Sequence, residues 1–462
     1  MSDSRGAWLE ALRRLRCHTD VPAGGDFWCP EYDAMPRERL HELQSDKLRL
    51  AVRYMNDHSP LFTRKLRESG MEPGDVRSVD DLGSLPITTK EDMSRDLDDN
   101  PPHGGYTAVT PEYWDRHGWM LFNTSGTTAL PRTFRYTDLD REMWTWTDAR
   151  ALWSMGIRPG DRALLCFGYG PHVAMWGMLY GLNLLRVPVI PSGGMDSRAR
   201  GRMVIEHRPT VIAATPSFAL YLAGVLRELD TDPATVGVRT VIALGEPVPE
   251  ATLQRIRSEW GGAAVAQFYG CTEAAPSCGG YTCPHGFHVM EDTHLIETVD
   301  AQTLRPVPAG ERGLTVITNL CSEASPQIRF LVGDYTTLSH EPCECGRTHI
   351  RTNGWSGRAD DMLNVRGVTL FPSGVEDLLR SLPDLGDEFQ IVLEQTEDAG
   401  ERFELVVERR SGDEDAIRRR VEEQVRAHWD LRAEVTVVPL GTLPKTEFKA
   451  KRVRDLRSNP GH

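Results

Sequence analysis

The segment Arg239-Thr-Val-Ile-Ala-Leu-Gly-Glu-Pro247 joins an apolar run of strand length to a turn that contains glycine and proline. Similar short runs recur on both sides of it, with helix-length segments between them. The predicted strands are 162–167, 187–190, 210–213, 239–244 and 263–268, and the predicted helices are 173–184, 197–207, 217–228 and 249–259. This alternation predicts an α/β fold with a largely parallel, doubly wound sheet that has helices on both faces.

Polar loops follow three of these predicted strands. Because the carboxyl ends of parallel strands meet at one edge of a sheet, such loops can border a common ligand crevice. A connecting turn with a capping acid explains any single loop better, but it explains three together less well. The candidate ligand contacts are Tyr169, Gly170 and His172 in the first loop, Glu246 and Pro247 in the second, and Tyr269, Gly270 and Glu273 in the third.

A hydroxyl-rich loop lies in the segment Leu121-Phe-Asn-Thr-Ser-Gly-Thr-Thr-Ala-Leu-Pro-Arg-Thr-Phe-Arg-Tyr-Thr137. Its hydroxyl side chains surround Gly126, where a backbone without a Cβ can turn sharply. Hydroxyls, successive backbone N–H groups and a nearby cation are suited to bind a polyphosphate. A threonine-rich surface loop explains the segment equally well when it is taken alone, and its spacing does not match the Walker P-loop. The hydroxyl residues are Thr124, Ser125, Thr127 and Thr128.

The composition is that of a globular protein. The chain of 462 residues has 40% hydrophobic and 26% charged residues, and this length suggests two or three domains. A formal net charge of -14 argues against a general nucleic-acid binder. No run of about 18 apolar residues occurs, and the first residues lack the apolar core of a signal peptide. We therefore expect a cytoplasmic protein with no membrane contact. Nine cysteines, an odd number, argue against a disulfide framework.

A domain boundary is predicted after residue 357, where a charge-dense segment precedes a new apolar pattern. Residues 1–357 would form the large domain and residues 358–462 a small α+β domain. The small domain has predicted strands at 389–394, 402–409 and 434–438 and a predicted helix at 413–428.

Two further features belong to the large domain. Thr88 and Glu91 have capping-box spacing and predict the start of a helix. Residues 300–357 are strand-rich and of mixed pattern, so they indicate strands without indicating how the strands pair.

Short motifs along nearly the whole chain together carry a family resemblance. They are Phe27-Trp-Cys-Pro-Glu31, Leu85-Pro-Ile-Thr-Thr-Lys90, Thr124-Ser-Gly-Thr-Thr128, Gly168-Tyr-Gly170, Ile190-Pro-Ser-Gly-Gly-Met195, Thr215-Pro-Ser217, Tyr269-Gly-Cys-Thr-Glu273, Gly357-Arg-Ala-Asp-Asp361 and Pro444-Lys-Thr-Glu-Phe-Lys449. In their order they resemble the adenylate-forming enzymes and, more narrowly, the phenylacetate-coenzyme A ligase family. Ordered agreement at so many places is highly specific.

The resemblance implies a fold and a reaction. The fold is a large N-terminal adenylation domain with doubly wound sheets and a small, mobile α+β C-terminal lid. In the reaction, a carboxylate attacks the α-phosphate of ATP, and a second nucleophile then displaces AMP from the acyl-adenylate. The implied acceptor is the coenzyme A thiol. The alternatives are transfer to a carrier-protein thiol or an amine, activation of a small oxyanion, or a catalytically inactive nucleotide- or zinc-binding scaffold. A homodimer is also implied.

The resemblance also assigns roles to residues. Lys449 would contact the carboxylate and the α-phosphate during adenylation, arriving with the lid and leaving afterwards. Arg132 occupies the position where the family usually has a lysine or similar group. The β- and γ-phosphates would be held by Thr124, Ser125, Gly126, Thr127 and Thr128. Thr272 would contact the α-phosphate and Glu273 would bind Mg²⁺. Glu246 and Pro247 would border the adenine, and Asp334 would hold the ribose with Arg358 nearby. Asp360 and Asp361 would form the hinge.

Two short clusters of cysteine and histidine match a zinc site of close paralogues in this family. The matching positions are Cys283, His288, Cys343 and Cys345. Four protein ligands make a closed site, which is typical of structural zinc. Cys278 or His285 could replace one ligand, and free thiols are the alternative.

Three positions depart from the family pattern: Ala129, Leu130 and Phe448. Ala129 and Leu130 leave the loop without a glycine and without a cation, so Arg132 and Arg135 would have to supply the positive charge. Phe448 could restrict how Lys449 enters the site. Adenylation is therefore better supported than thioester formation.

The acid pocket would be formed by the segment that follows residue 167. Tyr169, Gly170, His172 and Trp176 suggest a flat, aryl-sized acid with a polar substituent facing His172. For Trp176 and Val173, a position in the core of the next helix is the alternative.

Overall fold

The computed structural model describes residues 3–16, 20–124, 132–171, 173–274, 280–366, 368–395, 401–444 and 452–457. The chain forms two compact units, each assembled from three stretches. The first contains Met1–Asp161, Gly168–Val189 and Phe268–Trp355, and the second contains Arg162–Phe167, Ile190–Gln267 and Ser356–His462. This division differs from the predicted boundary after residue 357, because the second unit also takes in strands and helices from the middle of the chain.

Helices occur along the whole described chain. They are α1 Ser4–Arg14, α2 Pro30–Asp33, α3 Arg37–His58, α4 Pro60–Glu68, α5 Lys90–Asp99, α6 Pro111–His117, α7 Asp138–Ser154, α8 Val173–Leu184, α9 Ser197–His207, α10 Pro216–Glu228, α11 Glu250–Glu259, α12 Pro372–Arg380 and α13 Glu414–Trp429. Short 3-10 helices occur at Pro73–Asp75, Val79–Ser84, Pro233–Thr235 and Ala359–Asp361. Within the described residues, no helix has the length and apolar character needed to cross a membrane.

The strands of the first unit form a hairpin and an antiparallel sheet. The hairpin consists of β1 Gly118–Asn123 and β2 Thr133–Thr137. The next five strands along the chain are described with the second unit; they are β3 Ala163–Leu165, β4 Val189–Pro191, β5 Val211–Ala214, β6 Thr240–Leu244 and β7 Ala264–Phe268. The sheet consists of β8 Tyr281–Cys283, β9 Gly286–His288, β10 His294–Val299, β11 Arg312–Asn319, β12 Phe330–Ser339 and β13 Arg351–Thr352, in the order β10-β11-β12-β13-β9-β8. All five neighbouring pairs are antiparallel. The strand-rich part of the predicted large domain is thus a sheet of its own, separate from the parallel one.

The β1–β2 hairpin packs on α7 through aromatic side chains. Phe122 and Tyr136 of the hairpin and Trp144 of α7 are buried in one cluster, and the Tyr136 and Trp144 ring centroids are 4.2 Å apart. At the end of β2, Thr137 caps α7 through a capping box with Asp140. The hairpin is therefore fixed at both its face and its end.

A second capping box shows a one-residue departure from the sequence prediction. Helix α5 is capped by Thr89 with Asp92, and not by Thr88 with Glu91. The backbone of Thr88 is instead engaged in a bridge to Phe330, because its N–H donates to Arg329 O at 2.9 Å and its carbonyl accepts from Leu331 N at 2.9 Å.

The second unit contains the parallel sheet, in the order β4-β3-β5-β6-β7. β5 pairs in parallel with β3 and with β6, and the buried sheet residues pack with α10. The predicted strands and helices of this region match the observed elements to within two residues at each end, because continuous apolar runs and 3.6-residue periodicity were both strong there.

The C-terminal part of the second unit has its own core. It contains the hairpin of β14 Leu363–Val365 and β15 Val368–Leu370, and a sheet of β16 Leu385–Gln395, β17 Glu401–Arg409, β18 Glu434–Pro439 and β19 Val453–Leu456 in the order β18-β17-β16-β19. Side chains of α12 and α13 cover this sheet. The predicted α+β composition of this part is confirmed.

Candidate active site

The β1–β2 hairpin holds the two ends of the hydroxyl-rich loop together. Asn123 pairs with Thr133 across the hairpin, Thr124 N donates to Arg132 O at 3.0 Å, and Arg132 N donates to Thr124 Oγ1 at 3.1 Å. The remaining predicted phosphate contacts, Ser125, Gly126, Thr127 and Thr128, lie outside the described residues, as do Ala129 and Leu130.

Arg132 and Glu273 form a buried ion pair. Arg132 Nη2 donates to Glu273 Oε1 at 3.0 Å, and only 8% and 7% of the two residues are exposed. Arg132 Nε has no hydrogen-bond partner among the described residues, so one donor of the guanidinium remains available. Two predicted site residues that are far apart in sequence are therefore in direct contact.

Thr272 is attached to the same hairpin. The hydroxyl of Tyr136 on β2 donates to the carbonyl of Thr272. Burial raises the pKa of Tyr136 well above its ordinary value, so the hydroxyl keeps its proton and remains a donor. The Thr272–Glu273 turn is therefore bound to the hairpin through both a carbonyl and a carboxylate.

Tyr269 connects this turn to Asp334 on β12. Tyr269 OH donates to Asp334 Oδ2 at 2.6 Å, and its ring stacks on Trp355 with centroids 3.6 Å apart and planes at 6°. Gly270 is exposed between Tyr269 and Cys271. Trp355 was not singled out from the sequence, because nothing in its local pattern marks a stacking partner of a tyrosine so distant along the chain.

Glu246 acts as a capping acid in the second unit. Its Oε2 accepts a hydrogen bond at 3.2 Å from the backbone N–H of Ser217, in the first turn of α10. A carboxylate at a helix N-terminus is favoured both by hydrogen bonding and by the helix dipole. The hydrogen bond adds to the cap that Thr215 provides at the start of α10. Pro247 is exposed beside it.

The proposed hinge lies at the 3-10 helix Ala359–Asp361. Arg358 precedes it, and Asp361 N donates to Arg358 O at 3.1 Å. The side chain of Asp360 is outside what the structure describes.

The predicted acid pocket is described only in part. Trp176 Nε1 donates to Gly170 O at 3.3 Å, and the rings of Trp176 and Tyr169 are 6.4 Å apart. Tyr169 is 48% exposed, whereas Val173 is buried in the core. For Val173, the core position that the sequence left open is the one observed. His172 lies outside the described residues, and so do Lys449 and Phe448.

The four predicted zinc ligands lie close together; they are Cys283, His288, Cys343 and Cys345. Their potential ligand atoms all lie within 4.8 Å of one another. Cys283 Sγ is 3.8 Å from Cys343 Sγ, and Cys345 Sγ is 3.2 Å from His288 Nε2. Of the two predicted substitutes, His285 is exposed and 3.5 Å from Glu344, and Cys278 is outside the described residues.

The local fold explains this convergence. Cys283 and His288 lie on β8 and β9, and the turn between them requires Gly286, which has a φ of 118° and whose Cβ would lie 2.5 Å from Thr352 O. Beyond the cluster, His288 Nδ1 contacts the carbonyl of His349 at 2.7 Å, which fixes Nδ1 as the protonated nitrogen and leaves Nε2 unprotonated towards the sulfurs. Burial lowers the pKa of His288 to about 4, so its ring is neutral at neutral pH.

Comparison with protein families supports the resemblance. The family of AMP-binding enzymes matches residues 51–319, and the C-terminal domain of AMP-binding enzymes matches residues 367–457.

Individual relatives agree with the family match. The phenylacetate-coenzyme A ligase of Thermus thermophilus is 34% identical over 452 residues, which are 93% of this chain and 99% of the relative. The phenylacetate-coenzyme A ligase of Escherichia coli is 30% identical, covering 92% of this chain and 96% of the relative.

A solved structure has the same fold over almost the full length. The 2-hydroxyisobutyryl-CoA ligase in its postadenylation state has a TM-score of 0.87 and 29% identity, covering 95% of this chain and 94% of that one. The predicted fold class of an N-terminal AMP-binding part and a C-terminal domain is confirmed. The chain therefore belongs to the phenylacetate-coenzyme A ligase family of the adenylate-forming enzymes.

Proposed function

We propose that this AMP-forming acid–coenzyme A ligase activates an aromatic carboxylic acid. The carboxylate oxygen attacks the α-phosphorus of ATP, and the bond to the pyrophosphate leaving group breaks. The coenzyme A thiolate then attacks the acyl carbon of the adenylate, and the bond to AMP breaks. The contact between the β1–β2 hairpin and the Thr272–Glu273 turn carries this proposal, since it brings the ends of a hydroxyl loop, a cation and a carboxylate together.

Glu273 is the proposed Mg²⁺ ligand. Mg²⁺ in nucleotide sites is bound through one or two carboxylates and the phosphates, and it neutralises the charge of the leaving pyrophosphate. A single buried carboxylate whose charge is balanced by Arg132 fits that arrangement. The remaining nucleotide roles, those of Thr124, Asp334, Glu246 and Arg358, stay as proposed from the resemblance.

The aromatic nature of the acid is supported by the pair of Tyr169 and Trp176, which presents an exposed ring beside a half-buried one. Two curated relatives, 34% and 30% identical to this chain, are phenylacetate ligases. A small branched hydroxy acid is the second candidate, because a ligase for 2-hydroxyisobutyrate shares the fold at a TM-score of 0.87.

Pyrophosphate exchange with a panel of acids tests this proposal. We expect exchange with phenylacetate or a substituted benzoate, and thioester formation when coenzyme A is added. Exchange with 2-hydroxyisobutyrate alone would favour the second candidate. Exchange without a thioester, but with a product formed on an amine or carrier-protein thiol, would refute coenzyme A as the acceptor, and no exchange with any acid would refute the proposal as a whole.

We further propose a structural zinc ion at Cys283, His288, Cys343 and Cys345. In a tetrahedral site with Zn–S bonds of about 2.3 Å, two sulfurs lie about 3.8 Å apart, and the Cys283–Cys343 separation fits this value. The site has four protein ligands and no open position, so zinc would stabilise the fold and take no part in the reaction. Elemental analysis of freshly purified protein should find one zinc per chain, and a value near zero would refute the site.

The domain boundary after residue 357, the hinge at Asp360–Asp361, the cytoplasmic location and the homodimer remain proposals. The family matches, which end at 319 and resume at 367, support a boundary in the intervening segment. Limited proteolysis with and without nucleotide tests the hinge, because cleavage there should change when the acid and ATP are added. Light scattering tests the dimer.

A further inference from the structure

Among the described residues of the second unit, two hydrophobic cores share no residue. One surrounds the parallel sheet and includes Phe218 and Ile256, and the other fills the C-terminal part and includes Val375 and Phe389. Helix α11 packs against α12 between these cores. Contacts of this kind between separate cores are usually polar, and the side chains at this one are largely charged.

The polar contact of α11 includes three interactions at 3.0 Å or less. Arg380 Nη1 donates to Thr252 Oγ1 at 2.8 Å, and both residues are buried. The backbone N–H of Ala251 donates to Asp377 Oδ1 at 3.0 Å, and Arg255 Nε pairs with Asp387 Oδ1 at 2.8 Å. Each interaction has one partner in the parallel-sheet part and one in the C-terminal part.

Arg452 extends this contact towards the nucleotide-site residues of the second unit. It pairs with Glu388, its guanidinium lies 4.6 Å from the Phe389 ring centroid, and its Nη2 is 3.5 Å from Ser217 Oγ. Arg452 and Glu388 are only 7% and 8% exposed. Ser217 is the residue whose N–H is bound by Glu246.

The backbone of Arg452 is fixed as well. Its carbonyl accepts a hydrogen bond from Ile391 N at 2.7 Å, and the next residue, Val453, begins the strand that pairs in parallel with β16. Arg452 therefore anchors the chain only three residues after Lys449. Both the side chain and the backbone of Arg452 are thus held in place.

The energetics favour a positioning role over a purely stabilising one. A buried ion pair contributes little net stability, because the cost of removing both charges from water offsets their attraction. Burial raises the pKa of Glu388 and Glu376 even beside the guanidinium groups of Arg452 and Arg380. An apolar pair would fill the same space without the free-energy cost of removing charges from water. The charged pair is therefore better explained by the specific side-chain geometry that its hydrogen bonds impose.

We propose that Arg452 is a positioning residue for adenylate formation, which it serves by anchoring the segment of Lys449 through Glu388 and Ser217. This inference rests on the proposed role of Lys449. Because coenzyme A attack does not use Lys449 in that proposal, loss of Arg452 should slow the first half-reaction more than the second.

The test separates the two half-reactions in the full-length enzyme. Pyrophosphate exchange reports adenylation, and thioester formation from supplied acyl-adenylate and coenzyme A reports the transfer. We expect Arg452→Met to lower the exchange rate about tenfold or more, since displacement of a catalytic group by about 1 Å can cost about 100-fold. Transfer should stay within about twofold of wild type, and Arg452→Lys should recover part of the exchange rate.

Two further variants complete the test, one as a second disruption of the ion pair and one as a control. Glu388→Gln retains the shape of the side chain and should reproduce the loss of exchange even if Arg452→Met does not fold. Arg420→Met is the matched control, because Arg420 is exposed, pairs with Asp384 at 2.7 Å and should leave both half-reactions unchanged.

Equal losses in both half-reactions, or normal exchange in the Arg452→Met and Glu388→Gln variants, would overturn the inference. If Lys449→Ala lacks exchange while the Arg452 and Glu388 variants behave like wild type, only this inference fails. Absence of exchange in the wild-type enzyme with every acid would overturn the proposed function and this inference together.

Discussion

Replacing Arg132 with methionine should destabilise the protein measurably. Met has a similar length but no charge, so it leaves the Glu273 carboxylate buried without its cation. Removal of one partner from a buried ion pair costs about 3–5 kcal/mol. The 3.0 Å contact and the low exposure of both residues place this pair in the buried class, where solvent screening is weak. Against a typical stability of about 5–15 kcal/mol, such a loss is large.

Equilibrium urea unfolding of wild type and Arg132→Met measures this cost. The double variant Arg132→Met/Glu273→Gln should recover most of the lost free energy, because a neutral amide can be buried without a charged partner. The coupling energy of the cycle should therefore exceed about 1 kcal/mol. Arg39→Met provides the control: Arg39 forms an exposed pair with Glu31 at 3.4 Å, and its loss should change stability by less than about 0.5 kcal/mol.

The same variants separate stability from activity. Arg132→Met should bind ATP more weakly, and the double variant should regain stability without regaining pyrophosphate exchange, since both charges are absent. A change of less than about 1 kcal/mol in the unfolding free energy of Arg132→Met would show that Glu273 does not depend on this cation. Unchanged ATP affinity and turnover would show that another group supplies the charge to the phosphates.

Three further outcomes are expected. Lys449→Ala should abolish pyrophosphate exchange while calorimetry still detects ATP binding; wild-type exchange in this variant would refute its catalytic role. Cys343→Ser should lower the bound zinc and the thermal unfolding temperature together, and full zinc content in the variant would exclude Cys343 as a ligand. Burial lowers the pKa of His294 from 6.5 to about 4, so the unfolded chain takes up the proton first and stability falls as pH decreases from 6.5 to 4. The contribution is about 3 kcal/mol at most, and His294→Gln should make unfolding less dependent on pH in that window; an unchanged pH profile would refute the assignment.

The sequence predicted the elements of the parallel sheet closely. Helix α9 spans the same residues, 197–207, in the prediction and in the structure. Its start is marked by Asp196, whose carboxylate accepts from Ala199 N, and its apolar positions recur at helical spacing. Signals of this kind lie within one element and do not depend on the rest of the chain.

Prediction was less exact where contacts with distant parts of the chain determine the local structure. Thr88 with Glu91 and Thr89 with Asp92 have the same capping-box spacing, so local sequence cannot choose between them. The pairing of Thr88 with Phe330 engages its backbone and leaves Thr89 as the cap. The alternatives left open for Glu246 have the same origin, since its capping contact depends on where α10 begins in space.

The site shows the same limit at the level of chemistry. The sequence indicated residue types that are suited to nucleotide binding, but it could not show that Arg132 and Glu273 touch, because 141 positions separate them. In the proposed site, the guanidinium of Arg132 would compensate for the lysine that the family usually has at this loop. A lysine has one compact charged group, whereas arginine has five N–H donors in a planar arrangement. The Nη2 group of Arg132 pairs with Glu273 and neutralises its charge. The buried Nε–H has no acceptor in the described part of the chain, so it can still donate to an anion. A single residue can therefore orient the carboxylate proposed to bind Mg²⁺ and contribute positive charge next to the phosphates.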